Sequence, residues 1–348
     1  WMSTIILFGG TFLLLISFVS LPVAQFFSPA LDYIANVMVT VSNQLFLLMP
    51  GVYLDRLTIW SVIFSMILII LCYYYPTYRL TGTFLVIGIT CITFVYLSNR
   101  QMIVAIDVGQ GDATLIVNGF DAFLVDSGGF VGDRSIAQST IIPVLNYYGI
   151  DSLRALVITH HDLDHIGGLG AIFNRGLEAI YSPFQLNLNH HIRVVSSVNL
   201  LGPNFSLSMI SPQLLGDDLN SNNQSLLVTI SFESVKFMIT GDMDHTVELA
   251  FIRQEMITDV DVLKLGHHGS RFSTSDELLK QTSPIFIWNS AGSGNQFSHP
   301  HPDVIERIGH YQIPYLSTHK DGAIQFLIND RFIRIRSFLT NKTFLCSE

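Results

Sequence analysis

The first hundred residues are almost without charge. Asp32, Asp55, Arg56, Arg79 and Arg100 are the only Asp, Glu, Lys or Arg among them. A soluble domain of that size needs far more charge on its surface, so this stretch does not read as one. Cysteine is nearly absent as well. Cys72 and Cys91 lie in apolar runs and Cys346 lies in the tail, which argues against a disulfide framework and a Cys-based metal site. The N-terminus also lacks the basic region that opens a secretory signal, so a membrane span is the better reading there. Finally, residues 101–348 are short of basic groups, with 15 Lys or Arg against 25 Asp or Glu. Their net charge of −10 predicts weak nucleic-acid binding by this part alone, because such binding rests on clustered Lys and Arg.

What the first hundred residues do contain is long apolar runs. Thr4 to Val23 is long enough to cross the hydrocarbon of a bilayer. Residues 33–54 carry a helical stripe of Ile34, Val37, Val41, Leu45 and Leu48, interrupted by Asn36, Ser42, Asn43 and Gln44. They read as an interfacial or re-entrant helix, or as a helix packed on its neighbours. Two further uncharged runs, 57–78 and 80–99, flank Arg79 and predict a spanning hairpin, with Trp60 and Tyr73–Tyr75 suited to the interface. Residues 1–100 thus form a membrane segment of about three transmembrane helices plus one amphipathic helix. The abrupt apolar start at Trp1 is expected of the C-terminal part of a larger membrane protein.

At Gln101 the pattern changes to short β-rich runs alternating with helical ones. One series comprises strands over 103–108, 113–117, 122–125 and 155–159, with helices over 136–148 and 166–174. The second comprises strands over 226–232, 235–240, 260–265 and 284–289, helices over 245–255 and 302–311, and a closing hairpin from 322 to 338. Two such series predict a two-sheet α/β sandwich.

His and Asp gather where strands end. His160, Asp162, Asp164 and His165 fall within six residues, Asp242 ends a second strand, and His267 and His268 end a third. A single His or Asp there is ordinarily a cap or turn residue. Seven in three clusters are not explained that way and point to metal. His160 and Asp162 alternate and aim together in extended chain. Asp164 and His165 can serve a second ion, and Asp242 can bridge. Mixed imidazole and carboxylate ligands suit two divalent ions, Zn²⁺ or Mn²⁺, and such a pair hydrolyses phosphodiesters and other esters. One of His267 and His268 is expected to ligate and the other to meet substrate or move a proton. The adopted assignment is His268 to metal and His267 to catalysis. Asp164 carries a catalytic role besides its metal role. His299 and His301, held between prolines, are expected to reach substrate, with His301 the catalytic candidate. Asp126 is expected to orient the ligand turn, Asp112 is either a site residue or a turn carboxylate, and Arg271 is a phosphate candidate.

The motifs Asp107 to Asp112, Val125 to Gly129, Thr159 to Gly168, Leu226 to Asp242, Lys264 to Ser270 and His299 to Pro302 together resemble a metallo-β-lactamase-fold hydrolase. More closely, they resemble the C-terminal domain of the ComEC/Rec2 competence family. The resemblance implies an αββα sandwich over 101–348 preceded by transmembrane helices, in a multi-pass protein of the bacterial cell membrane. It also implies uptake of transforming DNA, with the hydrolase domain cleaving the strand that is not transported. The implied partners are incoming or single-stranded DNA, the membrane, other competence proteins and further copies of the chain. Two features depart from the wider superfamily. Asp162 stands where a second His is usual, as in the competence branch. The third-motif His has no firm counterpart, His190 and His191 being weak candidates and Asn222–Ser225 lying nearer the expected place. Rival readings are another esterase on the same scaffold, such as a phosphorylcholine esterase or lactonase, and a non-catalytic gating domain.

Overall fold

The computed structural model describes scattered residues between 20 and 37, then 56–346 except 133, 186–191, 216–218, 234, 330 and 331. The expected span over Thr4–Val23 and the amphipathic helix over 33–54 lie largely outside the described residues, as do His190 and His191. The chain divides into two compact units, Trp1–Val52 and Tyr53–Glu348. In the first, the described residues between 21 and 37 are helical.

The second unit opens with the helical hairpin predicted around Arg79, α1 (Arg56–Tyr74) and α2 (Arg79–Ser98). A short turn over Pro76–Tyr78 joins them, and the Arg79 guanidinium donates back to the Cys72 carbonyl at 3.3 Å. Among the described residues one helical run, Pro76–Ser98, is long and apolar enough to cross a membrane, while the apolar part of α1, Ile59–Tyr74, is shorter.

Two residues after α2 the chain enters β1 (Gln101–Ala105). Then come β2 (Thr114–Asn118), β3 (Asp121–Val125), α3 (Ile142–Tyr147), β4 (Ala155–Val157), β5 (Ile180–Ser182), β6 (Ile192–Val194), β7 (Ser197–Gly202) and β8 (Phe205–Ile210). The chain continues through β9 (Leu227–Phe232), β10 (Val235–Ile239), α4 (His245–Arg253), β11 (Val262–Lys264), α5 (Asp276–Thr282) and β12 (Phe286–Asn289). It closes with α6 (Pro302–His310), β13 (Tyr315–Ser317), β14 (Ile324–Asn329), β15 (Phe332–Ser337) and β16 (Thr343–Cys346). One sheet runs β16-β15-β14-β1-β2-β3-β4-β5-β6 and the other β13-β12-β11-β10-β9-β8-β7.

The burial pattern explains the layering. Ile103, Ile116, Phe123 and Val157 of the first sheet face Val228, Ile230, Phe237 and Trp288 of the second across one buried core. The alternate residues Met102, Val104, Leu115, Leu124 and Leu156 pack outward against Ile141, Leu145 and Ile172. On the far side, Met238, Leu263 and Ile287 pack against Val247, Phe251, Leu278 and Val304 of the second helical layer. Central strands covered on both faces read as unbroken apolar runs, which is why they were visible in the sequence. Edge strand β7 alternates exposed and half-buried residues.

The helix expected over 166–174 is instead two short turns, Leu163–Ile166 and Leu169–Ile172. The break falls at Gly167-Gly168, where the chain presses on the turn after β3. Ser127 donates to the His165 carbonyl from both its N–H (2.7 Å) and its hydroxyl (2.9 Å). A Cβ on Gly168 would stand 2.0 Å from the Ser127 carbonyl oxygen and 2.5 Å from the Ala137 Cβ, whereas one on Gly170 would meet nothing within 4 Å. Gly168→Ala is therefore expected to cost about 1–3 kcal/mol through overpacking and to lower the melting temperature by several degrees in a thermal-melt assay. Gly170→Ala should leave that midpoint unchanged or raised; equal midpoints for the two variants would contradict the close approach.

Candidate metal centre

Strand ends from both sheets bring the clustered residues to one place in the seam. His160, His165, Asp242 and His268 are buried there. Four imidazoles face a single carboxylate oxygen, Asp242 Oδ2: His268 Nε2 at 3.4 Å, His165 Nε2 at 3.5 Å, His267 Nε2 at 3.7 Å and His160 Nε2 at 3.9 Å. Asp164 joins from one side, with Oδ2 at 3.3 Å from His268 Nε2, and Asp162 from the other, with Oδ2 at 3.7 Å from His160 Nε2. The rings follow one another in the order His160, His165, His268, with centroids 4.0 and 5.4 Å apart, and Asp242 Oδ2 lies within 3.9 Å of the Nε2 of each.

The opposite edges of the rings are already committed. His165 Nδ1 lies 2.8 Å from Asp126 Oδ2, and Asp126 also accepts from the Thr159 N–H at 2.8 Å and the Thr159 hydroxyl at 2.7 Å. His268 Nδ1 lies 3.0 Å from the Ser290 carbonyl oxygen, and His160 Nδ1 lies 3.2 Å from the Thr159 hydroxyl. This leaves His160 Nε2, His165 Nε2, His268 Nε2 and Asp242 Oδ1 buried with no hydrogen-bond partner. Buried polar atoms are rarely left so, and imidazoles oriented from behind by a carboxylate or carbonyl are the usual state of metal-ligating histidines. The donor set of nitrogen and carboxylate oxygen suits a divalent ion.

Electrostatics agree. Burial opposes a charge on His268, yet Asp242, Asp112 and Asp164 hold its imidazole up at about 10. Burial likewise opposes a charge on His165, and Asp242 and Asp126 still raise it well above the ordinary range. Burial would lift Asp164, but its close contact with His268 and the charge of His165 bring it down to about 2. Burial and the neighbouring His165 push His160 down to about 4. The pocket is thus a concentration of negative charge that draws cations, protons included.

Asp112, His165, Asp242 and His268 offer ligand atoms within 4.8 Å of one another. Asp112 nonetheless stands behind the centre. Its Oδ2 pairs with the fully buried Lys264 ammonium at 2.6 Å, and it approaches His165 and His268 on their Nδ1 edges, at 3.8 and 3.9 Å. It serves as a compensated counter-charge, with Lys264 raised by Asp112 and Asp242 against the burial that would lower it. The role of Lys264 was not anticipated, although a charge set between Val262-Leu263 and Leu265 was its signal.

The sequence left the two adjacent histidines interchangeable, and backbone geometry separates them. Both have left-handed φ, 47° for His267 and 55° for His268, a strained state for non-glycine residues that is concentrated at functional sites. His268 turns inward and is buried, while the His267 side chain keeps 29% exposure. His301 is not brought to the cluster: its Nδ1 accepts from the Asp303 N–H at 3.2 Å, capping α6. His299 takes the near position instead, its ring centroid 5.6 Å from that of His267. Burial and the neighbouring His267 push His299 down to about 4.

The stretch Asn222–Ser225 reaches the site through Ser225 at its end and through Ser221 just before it. Ser221 Oγ bonds Asp162 Oδ1, and Ser225 Oγ accepts from the Asp242 N–H at 2.9 Å. Asn223 is occupied with Asp244, through bonds of 3.0 and 2.9 Å. Arg271 lays its guanidinium over the Phe272 ring at 4.7 Å.

Asp126 acts through His165, so its loss should appear in metal binding. Asp126→Asn keeps an acceptor for Thr159 but loses the carboxylate behind His165. It is expected to weaken Zn²⁺ or Mn²⁺ affinity about 10–100-fold in a competition titration; unchanged affinity would show that His165 is oriented by something else.

Comparison with known proteins places these residues in a family. A family model of the metallo-beta-lactamase superfamily matches residues 106–182, which include Asp112, Asp126 and the 160–165 cluster. ComE operon protein 3 of Bacillus subtilis is 28% identical over 279 residues, covering 70% of this chain and 36% of that protein. Recombination protein 2 of Haemophilus influenzae is 31% identical over 250 residues, covering 68% of this chain and 31% of that protein. Competence protein ComA of Neisseria gonorrhoeae is 31% identical over 232 residues, covering 66% and 32%. The chain therefore spans about a third of the length of these relatives. With these matches added to the metallo-β-lactamase-type site, the chain belongs to the ComEC/Rec2 family of competence proteins.

Proposed function

We propose that the chain takes part in DNA uptake during natural transformation, and that residues 101–348 form a metal-dependent phosphodiesterase that cleaves the strand not transported. The observation that carries the hydrolase reading is the convergence of His160, His165, His267 and His268 on Asp242 Oδ2, with the Nε2 atoms of His160, His165 and His268 buried and without a hydrogen-bond partner. His160, Asp162 and Asp242 would hold one divalent ion, and Asp164, His165, His268 and Asp242 a second. Such ions supply Lewis acidity toward phosphate oxygens and ease ionisation of the attacking water. The protein's own part is to orient and to shuttle protons. Asp126 and the Ser290 carbonyl fix His165 and His268. Ser221 steadies Asp162. The half-exposed His267 can deliver a proton from its ring to a leaving oxygen, a role that needs a group within hydrogen-bond reach of substrate.

The membrane part of the reading rests on α1 and α2. Trp60, Phe64, Leu80, Phe84 and Ile92 are all exposed, and apolar surface on this scale is stable in a hydrocarbon environment rather than in water. We place the chain in the bacterial cell membrane as a multi-pass protein that acts with incoming DNA, other competence proteins and further copies of itself.

The test is cleavage of labelled single-stranded DNA by the full chain with Mn²⁺ or Zn²⁺, beside Asp164→Ala. The variant should lose at least about a hundredfold in rate, the upper end of what removing even an outer partner costs, and about one metal ion per chain by elemental analysis. Equal rates and metal contents in the two proteins would overturn the assignment, and a metal-free wild type would favour a gating domain.

A further inference from the structure

The loop between β12 and α6 carries an aromatic row that leads out of the metal centre. His267 meets His299 edge-on at a centroid distance of 5.6 Å. His299 in turn stacks with Phe297 at 5.6 Å and an interplanar angle of 29°. Phe297 ends the row with 54% of its surface exposed. A single exposed phenylalanine on a mobile loop means little. This one is held. Asn295 alone makes four bonds inside the loop: its amide donates to the carbonyls of Gly292 (2.9 Å) and His299 (2.7 Å), and its Oδ1 accepts from the N–H groups of Phe297 (3.2 Å) and His299 (2.9 Å).

The loop is also fastened to the site at both ends. The Gly292 N–H donates to Gln110 Oε1 at 3.2 Å, which ties it to the turn that carries Asp112. The His301 N–H donates to the Gly269 carbonyl at 2.8 Å, next to His268. Pro300 packs so closely there that a Cβ on Gly269 would come within 2.6 Å of the Pro300 Cβ, and Gly269 has a φ of +86° besides. His299 Nδ1 is buried without a hydrogen-bond partner. The sequence marked His299 and His301 for substrate contact but gave no reason to look at Phe297.

We propose that Phe297 and His299 form a stacking platform for an unpaired nucleobase next to the phosphodiester held at the metal centre. Such a platform selects single-stranded nucleic acid, because in a duplex the base faces are already covered by their neighbours. Stacking on aromatic rings tolerates any base, since every base has a π-face. It also supplies affinity that the domain, at net charge −10, does not draw from basic groups. The rigidity given by Asn295 means that little loop entropy is lost when a base docks.

The inference rests on nucleic acid being the substrate, so its test is read by binding rather than turnover. The full chain in detergent is titrated against fluorescent oligothymidylate with phosphorothioate links, and against an abasic oligomer of the same length and charge. Wild type should bind the abasic oligomer about tenfold more weakly, the scale of one stacked base. Phe297→Leu should bring oligothymidylate down to the abasic level, while Phe297→Trp keeps the difference. Thermal melting of both variants at the wild-type midpoint shows that neither has lost the fold. Equal wild-type affinity for the two oligomers overturns the platform, and so does a base preference that survives Phe297→Leu. Absence of cleavage by wild type, with base-dependent binding intact, would overturn the hydrolase reading and leave the platform standing.

Discussion

The structure depends on confining several like charges where water cannot screen them. Asp112, Asp126 and Asp242 are all buried in the seam between the two sheets, with three buried imidazoles among them. Isolated, such carboxylates would cost several kcal/mol each. Each of them has a specific remedy. Lys264 answers Asp112 from below, Thr159 and His165 answer Asp126, and the Asp242 carboxylate is left with imidazole edges alone, its backbone N–H donating to the Ser225 hydroxyl. The remaining imbalance is concentrated on Asp242, where a divalent cation would settle it. The apolar layers, the glycine contact at Gly168 and the stitched turn at Ser127 all serve to hold this balance in one geometry.

Much of this was legible from residue order, for a physical reason. Central strands buried on both faces leave a run such as Met102–Ala105 or Ala155–Ile158, and polar groups placed at strand ends leave clusters. The sandwich, the apolar helical hairpin and the 160–165, 242 and 267–268 groups follow from those signals. Elements with weaker signals were missed. β8, Phe205-Ser206-Leu207-Ser208-Met209-Ile210, alternates cleanly but sits after a stretch with no other marker. β13 and α5 fall in mixed sequence whose structure is set by packing against β12 and α4. The hairpin after β2 turns at Gly119-Phe120, with Asn118 paired to Asp121, one residue later than the Asn118-Gly119 signal suggests.

The site residues divide in the same way. Identity of residue type sufficed to pick out the residues that meet at Asp242, because few other roles put His and Asp together at strand ends. It did not suffice where one backbone torsion decides the outcome. His267 and His268 are chemically identical, and the left-handed turn buries His268 while leaving His267 partly exposed at the rim of the same cluster. His299 and His301 were both expected to reach substrate, with His301 as the catalytic candidate. The N-terminus of α6 claims His301 as a cap, and the Asn295-bonded loop turns His299 toward His267. Lys264 stayed hidden because its meaning lies in a partner, Asp112, that is 152 positions away.

One feature of the fold has a mechanical side. Only Asn99 and Arg100 separate α2 from the central strand β1, and the joint is braced. Phe120 at the tip of the β2–β3 hairpin rests on Phe94 of α2, centroid to centroid 5.4 Å, and the Gly119 N–H donates to the Arg100 carbonyl at 2.8 Å. The helix and the sheet therefore behave as a lever with a stiff elbow rather than a weight on a string. A tilt of α2 would carry β1 with it, so the helix and the strand ends of the seam share one orientation.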